Sequence, residues 1–299
     1  MGQLGSEGED IIGPWSEEKL DLLAKYLKAY SAIMSNQKTS NNPTGKPWLR
    51  AYYYIDAFAG SVRPRTKADE ERYIEGSPLR ALQTEPRFDG YWFIDVSPQR
   101  IELVERLREE FPDCAIEIRQ GNCNEVLCND IIPRFPRASI QRAFVFLDPY
   151  GLQVDWETVR KLANIRTCDI FVNFSVMGVT RLLPREQSPE PEVVEQLSKV
   201  MGNTEWINQI YRTPTEHQLD LFGNQEPSPS RTTLRAEWLA SLYTDQLRTL
   251  FPYVSKPVLM KNSTNSVLYA LCLASHNQTA ISITNDIFNR HERLKQIGR

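Results

Sequence analysis

The sequence predicts an α/β fold, a doubly wound Rossmann-like sheet, and three of its features do so. Short apolar runs alternate with segments of helical periodicity between residues 51 and 175. Most of those runs end in an acidic or small residue followed by turn chemistry. After the alternation stops, two more apolar runs stand close together near the C-terminus, joined by a tight turn around residues 263–265. Strands that alternate with helices imply right-handed crossovers and a mostly parallel sheet.

The elements follow in order. Residues 17–34 carry Leu20, Leu23, Tyr26, Leu27, Tyr30 and Met34 at helical spacing, with Ser16 as the expected N-cap. NQKTSNNPTGKP is polar and turn-rich, hence a loop. AYYYIDAFAG is a buried strand ending at Asp56, and a charged loop over 61–75 leads to GSPLRAL, a helix with Ser77 as cap and Pro78 in its first turn. GYWFIDV is a second strand, ending at Asp95, and Ser97 and Pro98 open the helix QRIELVERLREEF. CAIEIR is a third strand, followed by the turn QGNCN and a helix to about Arg134 with Asn124 as the expected cap. RAFVFLD is the fourth, and DWETVRKLANI a helix capped by Asp155. CDIFVNF is the fifth. Residues 176–230 then hold helical segments at 192–201 and 204–211 and the linker NQEPSPS. A helix over 232–251, the strands KPVLMKN and SVLYALCLA, and a helix over about 281–296 close the chain.

Five crossover strands, a helix and a terminal hairpin match the layout of class I methyltransferases. In that fold a seven-stranded sheet takes its seventh strand antiparallel beside the fifth. The expected organisation is an N-terminal helix and linker (1–50), a first part of the core (51–175), a helical insertion (176–230) and the completion of the core (231–299).

Composition bounds the function. With 35 Lys+Arg against 38 Asp+Glu the net charge is −3, so no global basic field for nucleic acid exists. Local basic clusters remain at Arg63, Arg65 and Lys67, and at Arg134, Arg137 and Arg142. The five cysteines show no C-x-x-C spacing, and Cys123 and Cys128 have no histidine near them in sequence. No metal site or disulfide framework is expected, and the chain reads as cytoplasmic with buried thiols. No run approaches the roughly 18 apolar residues of a membrane span. The absence of a G-x-G-x-x-G string disfavours a dinucleotide oxidoreductase.

In open α/β sheets, ligands bind beyond the carboxyl ends of the strands. Four strand ends carry suitable residues. Asp56 and Gly60, with Phe58 between them, form a turn that a methyltransferase sets against the methionine part of S-adenosylmethionine; a plain strand-to-helix turn also explains them. Asp95 has the acceptor capacity for two ribose hydroxyls, or for capping a helix that Ser97 already caps. Asn122, next to Cys123, offers an amide to an adenine edge, or belongs to an Asn-rich turn. Asp148, Pro149 and Tyr150 resemble the [Asp/Asn]-Pro-Pro-[Tyr/Phe] motif of amino-methyltransferases, without its second proline and with the aromatic one place early. There the acid and a backbone carbonyl accept from an exocyclic amine and the aromatic stacks on the base.

The stretches YIDAFAG, GSPLRAL, GNCNEVL, FLDPYGLQVDW, DIFVNF with Arg181 beyond it, and YALCLASHN resemble the three-Cys-motif partner protein family (TcmP), over residues 17–297. The resemblance implies a methyltransferase-like fold and a partner that is an iron–sulfur protein of radical-enzyme type with a three-cysteine motif. It is similar, too, to ribosomal-RNA adenine methyltransferases carrying D-x-F-A-G and D-P-P-Y. The expected activity is S-adenosylmethionine-dependent methylation of a nucleobase amine in RNA or DNA. The alternative is a catalytically degenerate binding subunit of the partner. Two departures touch the cofactor cradle: Ser61 and Val62 follow Gly60 where the family has a second glycine, and Asn122 replaces an aspartate.

Overall fold

A computed structural model describes residues 11–41, 43–66, 72–136, 140–184, 187–212, 230–231 and 236–297. The main sheet is built from β1 (Ala51–Asp56), β2 (Gly90–Asp95), β3 (Ile116–Gln120), β4 (Gln141–Leu147), β5 (Cys168–Phe174), β6 (Val258–Lys261) and β7 (Val267–Ser275). Their order across the sheet is 3-2-1-4-5-7-6. Strands β1 to β5 are parallel, β7 lies antiparallel beside β5 with Ala270 opposite Phe174, and β6 is antiparallel to β7. The short strand Tyr253–Val254 pairs with the far end of β7. This is the class I methyltransferase topology that the alternation and the terminal hairpin predict. The chain leaves β1 in one direction and returns to β4 on its other side, so the switch point lies between β1 and β4.

Both faces of the sheet are covered, which is why its strands read as continuous apolar runs. On one face pack α1 (Pro14–Thr39), α2 (Ser77–Leu82), α3 (Pro98–Glu110) and α10 (Gln278–Ile297). The core there is aromatic: Tyr26, Tyr30, Tyr54, Phe88, Phe144 and Phe171 are buried together, with the Tyr26 and Phe171 rings stacked 5.9 Å apart. On the other face the aliphatic positions Ala143, Val145, Leu147, Ile170 and Val172 meet α4 (Cys123–Val126), α5 (Trp156–Ile165), α6 (Val176–Leu182), α7 (Pro191–Met201), α8 (Trp206–Ile210) and α9 (Ala236–Arg248). The period-2 alternation of a strand sends aromatics one way and aliphatics the other.

Ser97 caps α3 as expected, while three other helix starts depart from the sequence expectation. Gly13, not Ser16, caps α1, because Pro14 occupies the first turn with its φ preset. α1 also runs to Thr39, through residues read as loop, since Gln and Lys are good helix formers. Gly76 rather than Ser77 precedes α2. Asn122, not Asn124, caps α4, its side chain accepting from the Asn124 N–H at 2.8 Å. Asp155 stands at the N-cap of α5 without a side-chain cap bond. After α8, Tyr211–Arg212 pairs antiparallel with Ser230–Arg231. All of the NQEPSPS linker but Ser230 lies outside the described residues, as do Lys67 and Arg137 of the two basic clusters. Among the described residues no helix is long and apolar enough to cross a membrane.

Candidate active site

A cavity of about 1270 Å³ opens at the carboxyl edge of the sheet. Ligand sites commonly fall at about 300–1,000 Å³, so there is room for two ligands side by side. Phe58, Gly60, Asp95, Asn122, Cys123, Asp148, Pro149 and Tyr150 all line it.

Asp56 is the exception. Its side chain is fully buried and turns inward, accepting from the Tyr54 hydroxyl at 3.0 Å and the Phe58 N–H at 3.2 Å. Burial pushes its pKa up to about 7, against the opposing hydrogen bonds of Ser77, Tyr54 and Phe58. Asp56 therefore shapes the 57–60 turn from behind, whereas the sequence reading set it toward a ligand.

Gly60 adopts φ +61°, a left-handed conformation that side chains disfavour. Gly76 packs against the same turn; a Cβ there would lie 2.2 Å from the Ser61 carbonyl oxygen. Ser61 and Val62, the residues that depart from the resembling family, are 7% and 3% exposed, and the Ser61 hydroxyl oxygen is wholly buried. Val62 packs into the core, whereas Ser61 also lines the cavity.

Asp95 is 5% exposed. Its Oδ2 accepts from the Gly60 N–H at 3.0 Å and its Oδ1 from the Ser97 N–H at 2.8 Å. One carboxylate thus ties the β2 end to the β1 turn, with acceptor capacity left over. Asn122 spends its carbonyl on the α4 cap, which leaves its amide N–H₂ as the group presented to the cavity. Cys123 is 5% exposed, and burial pushes its thiol up to about 12, so it stays protonated as a packing residue and not a nucleophile. Asn124 staples the loops, donating to the Gln153 carbonyl at 2.8 Å and accepting from the Asp155 N–H at 3.0 Å.

At the end of β4, Asp148 is held from two sides. Asn173, in β5, donates to Oδ1 at 2.8 Å. Lys19, from the first turns of α1, pairs with Oδ2, the two side chains being 11% and 18% exposed. Pro149 follows, and Tyr150 is 52% exposed, its N–H bonded to Gln153 Oε1 at 2.9 Å. The Tyr269 hydroxyl donates to the Tyr150 carbonyl at 3.4 Å. Arg100, in the first turn of α3, donates to the Tyr150 hydroxyl at 3.2 Å.

Sequence reasoning missed Lys19, Arg100, Asn173 and Tyr269. Asn173 left a signal, a lone amide inside an apolar strand. Arg100 left one too, a cation in the first turn of a helix, where the dipole disfavours it. Lys19 left none, since one lysine beside Leu20 looks like any exposed helical position.

No protein-family model matches the chain, and no curated protein matches it. Solved structures resemble it at low identity. The yhhF protein of Escherichia coli, a methyltransferase candidate, is 16% identical over 59% of this chain and 82% of its own, with a TM-score of 0.35. The N-terminal domain of EvdMO1, solved with SAH bound, is 9% identical over 85% of this chain and 81% of its own, with a TM-score of 0.38. The bifunctional kinase-methyltransferase WbdD is 16% identical over 87% of this chain, with a TM-score of 0.35, and the match spans 39% of WbdD.

Proposed function

We propose that the chain is an S-adenosylmethionine-dependent methyltransferase that acts on the exocyclic amine of a nucleobase in RNA or DNA. It works beside an iron–sulfur protein carrying a three-cysteine motif, and is itself a member of the TcmP family it resembles. One observation carries the enzymatic reading. A single cavity at the switch point gathers the Gly60 turn, the Asp95 carboxylate and Asn122 with the Asp148-Pro149-Tyr150 stretch.

The residues present fit the cofactor. The Gly60 backbone leaves the turn open, Asp95 keeps acceptor capacity for ribose hydroxyls, and Asn122 presents donors to an adenine ring. The bound cofactor supplies an electrophilic methyl group. Asp148 and the Pro149 carbonyl accept hydrogen bonds from the target amine and turn its lone pair toward the methyl carbon. Tyr150, half-exposed, offers its ring to the base, a contact of about 1–3 kcal/mol. An aromatic amine is a weak nucleophile, so positioning supplies most of the rate. Asn173 and Lys19 fix the carboxylate plane that does the positioning.

A second reading, the non-catalytic binding subunit, is favoured by one specific observation: both oxygens of Asp148 already have partners. Calorimetric titration with S-adenosylhomocysteine, followed by labelled-methyl transfer to total RNA and to DNA, separates the two. Uptake and transfer support the enzyme; absence of both leaves the binding subunit.

A further inference from the structure

Arg100 touches both halves of the cavity. Its Nη1 lies 3.5 Å from Asp95 Oδ2, its Nη2 donates to the Tyr150 hydroxyl at 3.2 Å, and its Cζ lies 5.1 Å from the Tyr150 ring centroid. Asp95 ends β2 and Tyr150 follows β4, strands on either side of β1. Two strand spacings separate them, about 9–10 Å, a gap that a long guanidinium side chain can span. The Arg100 side chain is 14% exposed and sits in the first turn of α3, where its charge opposes the helix dipole. The contacts with Asp95 and Tyr150 help to hold it there.

We infer that Arg100 is a positioning residue that couples nucleoside occupancy at Asp95 to the placement of the Tyr150 ring. The inference rests on the S-adenosylmethionine reading above. At 3.5 Å the contact with Asp95 is looser than the 3.2 Å bond to the Tyr150 hydroxyl. It falls on Oδ2, which already accepts from the Gly60 N–H. Ribose hydroxyls arriving at Asp95 take the acceptor capacity that Arg100 occupies. The guanidinium then shifts toward Tyr150 and fixes the ring on which the substrate base stacks. Nucleoside binding thus prepares the substrate half, and the cofactor binds first.

The test is a double-mutant cycle with S-adenosylhomocysteine as the calorimetric probe, on wild type, Arg100→Met, Tyr150→Phe and the double variant. Tyr150→Phe removes only the hydroxyl and leaves Arg100 to compete at Asp95. Affinity for the probe should fall by about threefold to tenfold, one hydrogen bond's worth. In the Arg100→Met background the same substitution should change nothing. Arg100→Lys should not restore the coupling, because a compact ammonium cannot serve both partners. Equal effects of Tyr150→Phe in the two backgrounds, or none in either, overturn the inference. A wild type that takes up no probe overturns the cofactor reading itself, and the first titration tells the two failures apart. Melting temperatures check that each variant is folded.

Discussion

Asp148 is the residue on which the proposed chemistry turns, and its carboxylate is held from two sides by Asn173 and Lys19. Buried ion pairs seldom add much stability, because desolvation cancels most of the attraction. The Lys19–Asp148 pair, 11% and 18% exposed, is better understood as a device that orients a carboxylate. Asp148→Asn keeps the size of the group but loses one acceptor. We expect methyl transfer to fall at least 100-fold while S-adenosylhomocysteine affinity stays within about threefold, as one positioning contact made in the transition state predicts. Loss of affinity equal to the loss of rate, in single-turnover and binding measurements, would remove Asp148 from the substrate side. Lys19→Met leaves the carboxylate buried without its cation. Its cost should reach about 3–5 kcal/mol if the pair is sealed from water and less if the cavity hydrates it; urea denaturation gives the number.

At the scale of elements, the strands were legible because both sheet faces are covered, so each central strand is an unbroken apolar run flanked by turn residues. The seventh strand was legible for the same reason, and its placement beside β5 followed from the hairpin. Helix starts were legible only in part: Ser97 and Asp155 take the expected N-cap positions of α3 and α5, but the other caps shift. Several Ser, Asn and Asp residues stand near each start, and which one takes the N-cap depends on where the preceding strand releases the chain. Thus Asn122 caps α4, while Asn124 is drawn to Gln153, Asp155 and Thr158 across the loops. Among the site residues, those at strand ends were found from sequence. Those reaching in from α1, α3, β5 and β7 needed the fold. The stacked pair Phe174–Tyr243, centroids 4.1 Å apart and 6° from parallel, ties β5 to α9. Tyr243 is 3% exposed, so Tyr243→Ala should cost about 3–5 kcal/mol. A loss under 1 kcal/mol in the denaturation midpoint would mean that α9 does not fold as part of the core.

Across the whole molecule, buried acids set how stability depends on pH. Asp56 lies at the carboxyl edge of the sheet and is fully buried; Asp169 lies near the start of β5 and is partly buried. Burial pushes the first up to about 7 and the second up to about 6. Asp169 accepts from the Ser275 hydroxyl at 2.5 Å, which offsets part of that cost. In the unfolded chain each titrates near 4. Between the two values the folded protein binds a proton that the unfolded chain has lost, so stability falls as pH rises. The contribution is fully present below about pH 4 and is lost through about pH 6 for Asp169 and about 7 for Asp56, on the order of 1 kcal/mol per pH unit from each. Two sets of groups act in the opposite sense. His276, its pKa lowered by burial and by Arg166 and Arg142, loses stability as pH falls below the usual histidine value. Glu18, held low by His291 and Lys295 despite burial, does so below the usual carboxylate value. One histidine does not cancel two aspartates, so the maximum of stability should lie near pH 5 rather than at neutrality. Urea midpoints should be higher at pH 5 than at pH 8 in wild type, and the difference should shrink in Asp56→Asn and again in the double variant with Asp169→Asn. A wild-type protein equally stable at both values, or more stable at pH 8, would show that these carboxylates ionise freely in the folded state. The turn behind the Gly60 cradle would then rest on a charged Asp56.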